Sequence, residues 1–330
     1  TKGPGGTGPA TKTYVDARIS VGPNGLNEVD DDHTVTGKVE TKDGNGAWSP
    51  APAGTKIDFV ETGAGGFVGG DSDCLTIGAT GACSVAIDSQ QIGSTVVSAT
   101  STVSVHGVSL KRSTDSTIAT NGPGGSGNMT KKWADASIKI VETAVNEVND
   151  AHEFTVTATA HPPAGTTVTF GAITPSVAPA PGSQSTTCAN PVLSGGGNVA
   201  TCKFTINNPV PGVFDVDAAV AVSFDDGSNP KLTINRSTQG NAGPNGNQGS
   251  TKKFVDARVS VGPDGVNAVG DAHTVTGKAE YNDASGWKPA VGETITFAIT
   301  QGVGGFVNGT ASCVAGADGT CSVQIESDVP

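Results

Sequence analysis

Long apolar side chains are scarce in this chain. Aromatic residues make up 5% of its 330 positions and methionine occurs once. A single large α/β enzyme core needs more of both, whereas the abundant Gly, Thr, Val and Ser suit short strands joined by turns. Basic residues are also few: 19 Lys and Arg stand against 31 Asp and Glu, a formal charge of −12. That balance argues against a nucleic-acid partner, which requires clustered cations. No apolar run approaches the roughly 18–20 residues that cross a bilayer, so no membrane span is expected. The nucleophile-elbow string G-x-S-x-G and the zinc string H-E-x-x-H are both missing, and no isolated Ser, His and acid cluster stands out. A non-catalytic protein is the expectation.

What is present is repetition. The phrase GPGGTGPATKTYVDARISV near the start returns as GPGGSGNMTKKWADASIKI and again as GPNGNQGSTKKFVDARVSV. Aligning Thr11, Thr130 and Thr251 gives periods of 119 and 121 residues, too long for a solenoid and right for a β-sandwich of about 100 residues. Alternating apolar and polar positions predict strands over residues 15–21, 33–40, 56–60, 83–87, 95–105 and 108–111, each bounded by turn residues. No amphipathic helix of a dozen residues is found. The fold class expected is all-β, as tandem immunoglobulin-like β-sandwiches.

The expected division is a linker over 1–10, a domain over 11–120, a linker over 121–129, a domain over 130–240, a linker over 241–250 and a domain over 251–330. The third domain lacks counterparts of the last two strands of the first, which would expose sheet edges and core. No secretory signal opens the chain, and its first residues align with the end of a repeat, so a piece of a longer protein is expected. A nine-residue Gly/Pro linker reaches about 30 Å when extended and about 16–18 Å as a coil. The domains should therefore form a string with little mutual contact, unless the linkers dock.

Several recurring segments carry a family resemblance. They are Asn27-Glu28-Val29 before His33-Thr34-Val35-Thr36, Pro52-Ala53-Gly54 before Ile57-Asp58-Phe59, Thr80-Gly81-Ala82-Cys83-Ser84-Val85, and Val96-Val97-Ser98-Ala99. Asn146-Glu147-Val148 with His152, and Asn267-Ala268-Val269 with His273, repeat the first of them. Together they resemble bacterial immunoglobulin-like repeats of invasin-type and other surface proteins. The resemblance implies a rigid extracellular spacer or display module.

The six cysteines fall two per repeat, so pairing within each is expected: Cys74–Cys83, Cys188–Cys202 and Cys313–Cys321. Closing loops this short contributes about 2.5–3 kcal/mol each in the chain-entropy model. Such staples point to an oxidising compartment, hence to an extracellular or cell-surface location.

Four other features are candidates for function. Asp16, Asp135 and Asp256 recur together with Asn27, Asn146 and Asn267 and with Asp31, Asp150 and Asp271. Oxygens of these types near a domain junction would suit Ca²⁺, which takes six to eight of them; the same residues also serve as turns and caps. Trp48, Phe67, Trp287 and Phe306 lie in loops, where aromatics bind a surface glycan or protein, or plug the open end of a sandwich. His33, His152 and His273 open matching strands, as a pH-sensitive contact or a metal ligand, or as a strand start hydrogen-bonded to a neighbouring loop. The string Gly3-Pro4-Gly5-Gly6-Thr7-Gly8 fits G-x-G-x-x-G but precedes a strand rather than a helix, and reads as linker. Two functions follow: a structural array in an extracellular fibre or stalk that associates with like modules, or an adhesin that uses the loop aromatics.

Overall fold

The computed structural model describes residues 7–141, 143–228 and 230–330. The first glycine-rich phrase lies mostly outside them. The described chain is all-β, in antiparallel sheets with short 3-10 turns between them. It is arranged as three successive two-sheet units, consistent with β-sandwiches.

In the first unit, one sheet runs from Val15–Gly22 through His33–Asp43 and Ala82–Asp88 to Gly66–Phe67. The opposing sheet is centred on the long strand Gly93–Val105, which pairs with Lys56–Gly63 on one edge. Its other edge is shared by two strands in succession. Val108–Ser113 pairs with its second half, and Met129–Val141 pairs with its first half through Met129 to Trp133.

That second pairing places the expected domain boundary at Thr130 inside a strand. Met129–Val141 is one continuous strand. Its first five residues complete the sheet of the first unit, while Asp135 to Val141 pair with His152–His161 in the second. The sequence carries out the handover by changing phase. Side chains alternate across a strand with period two, so Met129, Lys131 and Trp133 face the interior of the first unit. Trp133 and Ala134 are both buried, and from there Ala134, Ala136, Ile138 and Ile140 belong to the second core. Two consecutive inward residues put neighbours in different cores. Ser250–Gly262 repeats the arrangement: residues 250–254 pair with Gly212–Asp225, and residues 256–262 pair with His273–Asn282. Phe254 packs edge-on against Phe214 in the second core, with centroids 5.8 Å apart.

Each bridging strand also gains a short parallel neighbour. Gly25–Glu28 runs beside Lys131 to Ala134, and Ala144–Glu147 beside Lys252 to Val255. The expectation of loosely strung domains thus gives way to units joined in register on both sides.

The linkers dock as well. The amide of Ile19 donates to the Asn121 carbonyl at 2.9 Å, and Ser126 donates to the carbonyl of Ile19 at 3.1 Å. In the second unit Ile138 donates to Ala242 at 2.8 Å and Ile140 to Asn247 Oδ1 at 2.9 Å. These contacts cover the otherwise open edge of the first sheet. Gly122 and Gly243 make the close approach possible. Both have positive φ, and a Cβ on either would fall 2.1 Å from a carbonyl oxygen, of Ala17 or Ala136.

The third unit has only Thr294–Thr296 and Ser312–Val314 in its second sheet. Counterparts of Gly93–Val105 and Val108–Ser113 are not found among its described residues. Val259 and Val261, equivalent to the buried Ile138 and Ile140, are 68% and 69% exposed. Val259 lines a groove of about 700 Å³ together with Ala257, Tyr281 and Val291.

The shared strand has a testable consequence. Trp133 is buried and donates from Nε1 to Thr95 Oγ1 at 2.8 Å. Trp133→Ala should cost about 3–5 kcal/mol. Hydrogen exchange should show the loss of protection in Gly93–Val105, in the unit that precedes it, more than in His152–His161.

Candidate functional site at the unit junctions

The cysteines pair within units as the repeat implied. S–S distances are 2.00 Å for Cys74–Cys83, 2.05 Å for Cys188–Cys202 and 2.15 Å for Cys313–Cys321, and no free cysteine remains.

The repeated acids and amides do not converge on a cation; two separate clusters form instead. In the first, Asp16 accepts from Arg112 Nη2 at 2.5 Å, and the same arginine donates from Nε to the Ala17 carbonyl at 2.6 Å. Arg236 repeats this at the first junction with Asp135 and the Ala136 carbonyl, both at 2.5 Å. It also pairs with Glu28 of the preceding unit. The arginine side chain is 4% exposed, so its charge depends on these two carboxylates. Asp256 has no such partner among the described residues, and accepts only from the Ala257 amide at 2.8 Å.

The second cluster sits on the bridging strands. Lys131 and Lys252 are 1% and 0% exposed. Lys131 Nζ lies 2.5 Å from Asn27 Oδ1, and Lys252 Nζ contacts Asn146 Oδ1. The ammonium groups lie beside aromatic rings of their own strands, 5.7 Å from the Trp133 centroid and 5.1 Å from that of Phe254. Burial pulls the pKa of both lysines down to about 8, against the opposing charges of Asp226 and Asp31 at Lys131 and of Asp150 at Lys252. Asn146 Nδ2 donates to the Asp150 carboxylate at 3.0 Å. Asn27 Nδ2 lies 3.4 Å from the Asp32 carbonyl, and Asn267 Nδ2 donates to the Ala272 carbonyl at 3.1 Å.

Protein groups are thus the partners of the recurring acids and amides. Asp16 and Asp135 are answered by arginines, and Asn27 and Asn146 by lysines. Asp31 and Asp150 stand beside those lysines. Among the described residues, no group of three or more His, Cys, Asp or Glu side chains could hold a metal ion. In the third copy, Asp256 and Asn267 bind backbone, and the amide of Asp271 closes a turn on the Ala268 carbonyl.

The loop aromatics do not form an open platform. The guanidinium of Arg18 lies 4.5 Å from the Trp48 centroid, and that of Arg258 lies 4.1 Å from that of Trp287. Glu40 and Glu280 hold the two arginines there at 2.8 Å. Phe67 packs against the first core, and Phe306 pairs with Ile325. His33 and His273 lie 3.1 and 3.0 Å from the carbonyls of Pro23 and Pro263, as strand-start contacts with a loop. His152 meets Phe154 edge-on.

Reading the sequence missed Lys131, Lys252, Arg112, Arg236 and Glu28. One signal was available for the lysines: each precedes its aromatic by two residues, which puts both on one face of a strand. No protein-family model matches the chain, and no curated protein is significantly similar to it.

Removing one partner of a buried pair leaves the other charge uncompensated. Arg236→Ala should therefore cost about 3–5 kcal/mol in chemical denaturation. Arg112→Ala should cost distinctly less, because Asp16 is 34% exposed and water can solvate it. Equal losses would show that burial does not govern the pair.

Proposed function

We propose that the chain is a non-catalytic structural repeat protein of an extracellular fibre or cell-surface stalk, built from tandem disulfide-stapled immunoglobulin-like modules. The observation that carries this reading is strand sharing. Each bridging strand is hydrogen-bonded into two successive sheets, with five residues before the phase change and seven after it. A free Gly/Pro tether lets modules swivel. A strand locked in register on both sides fixes their spacing and rotation, which is what a stalk or fibre needs. The docked linkers and the Glu28–Arg236–Asp135 contact, built on the buried Arg236 and Asp135, reinforce the same joint. The three disulfides suit an oxidising environment. No helix among the described residues is long and apolar enough to cross a membrane. Like modules are the partners that fit, because each bridging strand already hydrogen-bonds into the sheets of two successive units. An adhesin reading has less support: a glycan would have to displace Arg18 or Arg258 from the tryptophan faces.

Small-angle X-ray scattering of the whole chain tests the fixed joint. The expected result is one elongated particle with a narrow distribution of shapes. Inserting a single glycine between Trp133 and Ala134 should broaden that distribution and leave the disulfides intact. A wild-type chain already as variable as the insertion mutant would sink the rigid-spacer reading.

A further inference from the structure

At each junction a buried lysine amine touches an asparagine carboxamide of the preceding unit, and at the second junction the Asp150 carboxylate accepts from that carboxamide. We propose that Lys131 with Asn27, and Lys252 with Asn146, form isopeptide bonds that covalently join one unit to the next. The proposal is independent of where the protein works or what it assembles into.

The chemistry needs four conditions. The first is a neutral amine, since only the unprotonated nitrogen has a lone pair to donate. At pH 7 a lysine with pKa about 8 is neutral about a tenth of the time, against fewer than about one in a thousand for an ordinary lysine. The second is contact. Lys131 Nζ lies 2.5 Å from Asn27 Oδ1, and the equivalent atoms meet at the second junction. Gly25 leaves room for this amine: a Cβ there would lie 3.2 Å from Lys131 Nζ. Fixed contact of this kind replaces a bimolecular encounter, and effective molarities of well-oriented groups reach about 10⁵–10⁸ M.

The third is a proton relay to the leaving nitrogen. Asp150 lies 3.0 Å from Asn146 Nδ2. Asp31 holds the aligned position at the first junction, where its charge acts on Lys131 together with that of Asp226. The fourth is exclusion of water, and both lysines are fully covered. Hydrolysis of the amide is then disfavoured relative to aminolysis.

The step balances without a further reagent. The Nζ lone pair adds to Asn Cγ, forming the new C–N bond and moving the carbonyl π electrons onto Oδ1. The aspartate takes one proton from Nζ and passes it to Nδ2. As the carbonyl re-forms, the Cγ–Nδ2 bond breaks, its electron pair leaves with nitrogen, and ammonia departs. Nothing is oxidised or reduced. The bridging strand is what brings the partners together, so the bond forms only after two units have docked.

The decisive measurement is the intact mass of the whole chain, purified, denatured and reduced. The expected mass is below that of the reduced sequence by two ammonias. Proteolysis should then yield two branched peptides, one joining Lys131 to Asn27 and one joining Lys252 to Asn146. Asn27→Ala should retain only the second bond, and Asp150→Asn only the first. A chain that is folded by circular dichroism, has the full sequence mass and gives only linear peptides overturns the proposal; the lysines would then be hydrogen-bonded and nothing more. The wild-type mass and peptides decide the matter even if a variant fails to fold.

Discussion

A β-strand can serve two cores only if its inward face changes side partway along. The pairs Trp133-Ala134 and Phe254-Val255 make that change, and the rest of the molecule is arranged around it. Because alternation is strict elsewhere along the strand, the residues before the switch are committed to one core and those after it to the next. The aromatic at the switch fills the end of one unit while the residue after it begins another. Parallel strands, docked linkers and junction charges all gather around this point, since two sheets end there and their edges need partners.

The junction also concentrates polar groups that would be costly elsewhere. Arg236 and the two lysines are cations without access to bulk water, and each is matched to oxygens from the neighbouring unit or from the bridging strand itself. Such groups add little net stability compared with an apolar replacement, but they are strict about position. A slipped register would leave a buried ammonium or guanidinium facing carbon. The apolar phase change supplies the burial, and the charges specify which alignment is used.

The all-β class, the three-fold repeat and the cysteine pairing were legible because each is written in local pattern: alternation, period and recurrence. The ownership of Thr130 to Trp133 was not. Those residues follow a glycine-rich phrase, so they read as the opening of the unit they precede in sequence. Only pairing over more than thirty positions, such as Trp133 with Gly93, assigns them backwards. The acids and amides were recognised as a recurring set, but their partners lie up to about a repeat away. Asp135 meets Arg236, and Asn27 meets Lys131. Sequence spacing suggested oxygen ligands for a metal; the fold supplies protein cations instead. The tryptophans read as loop residues, but Trp287 opens a short strand, and Arg18 and Arg258 each occupy one face of a tryptophan ring.

The shared strand also sets the order of events during synthesis. A unit that owned all its strands could close as soon as its last residue left the ribosome. Here the first core waits for Trp133, which is translated after the linker and at the start of the next repeat. The second core waits likewise for Phe254. Folding therefore lags translation by part of a repeat, and the newest unit stays open until its successor begins to emerge.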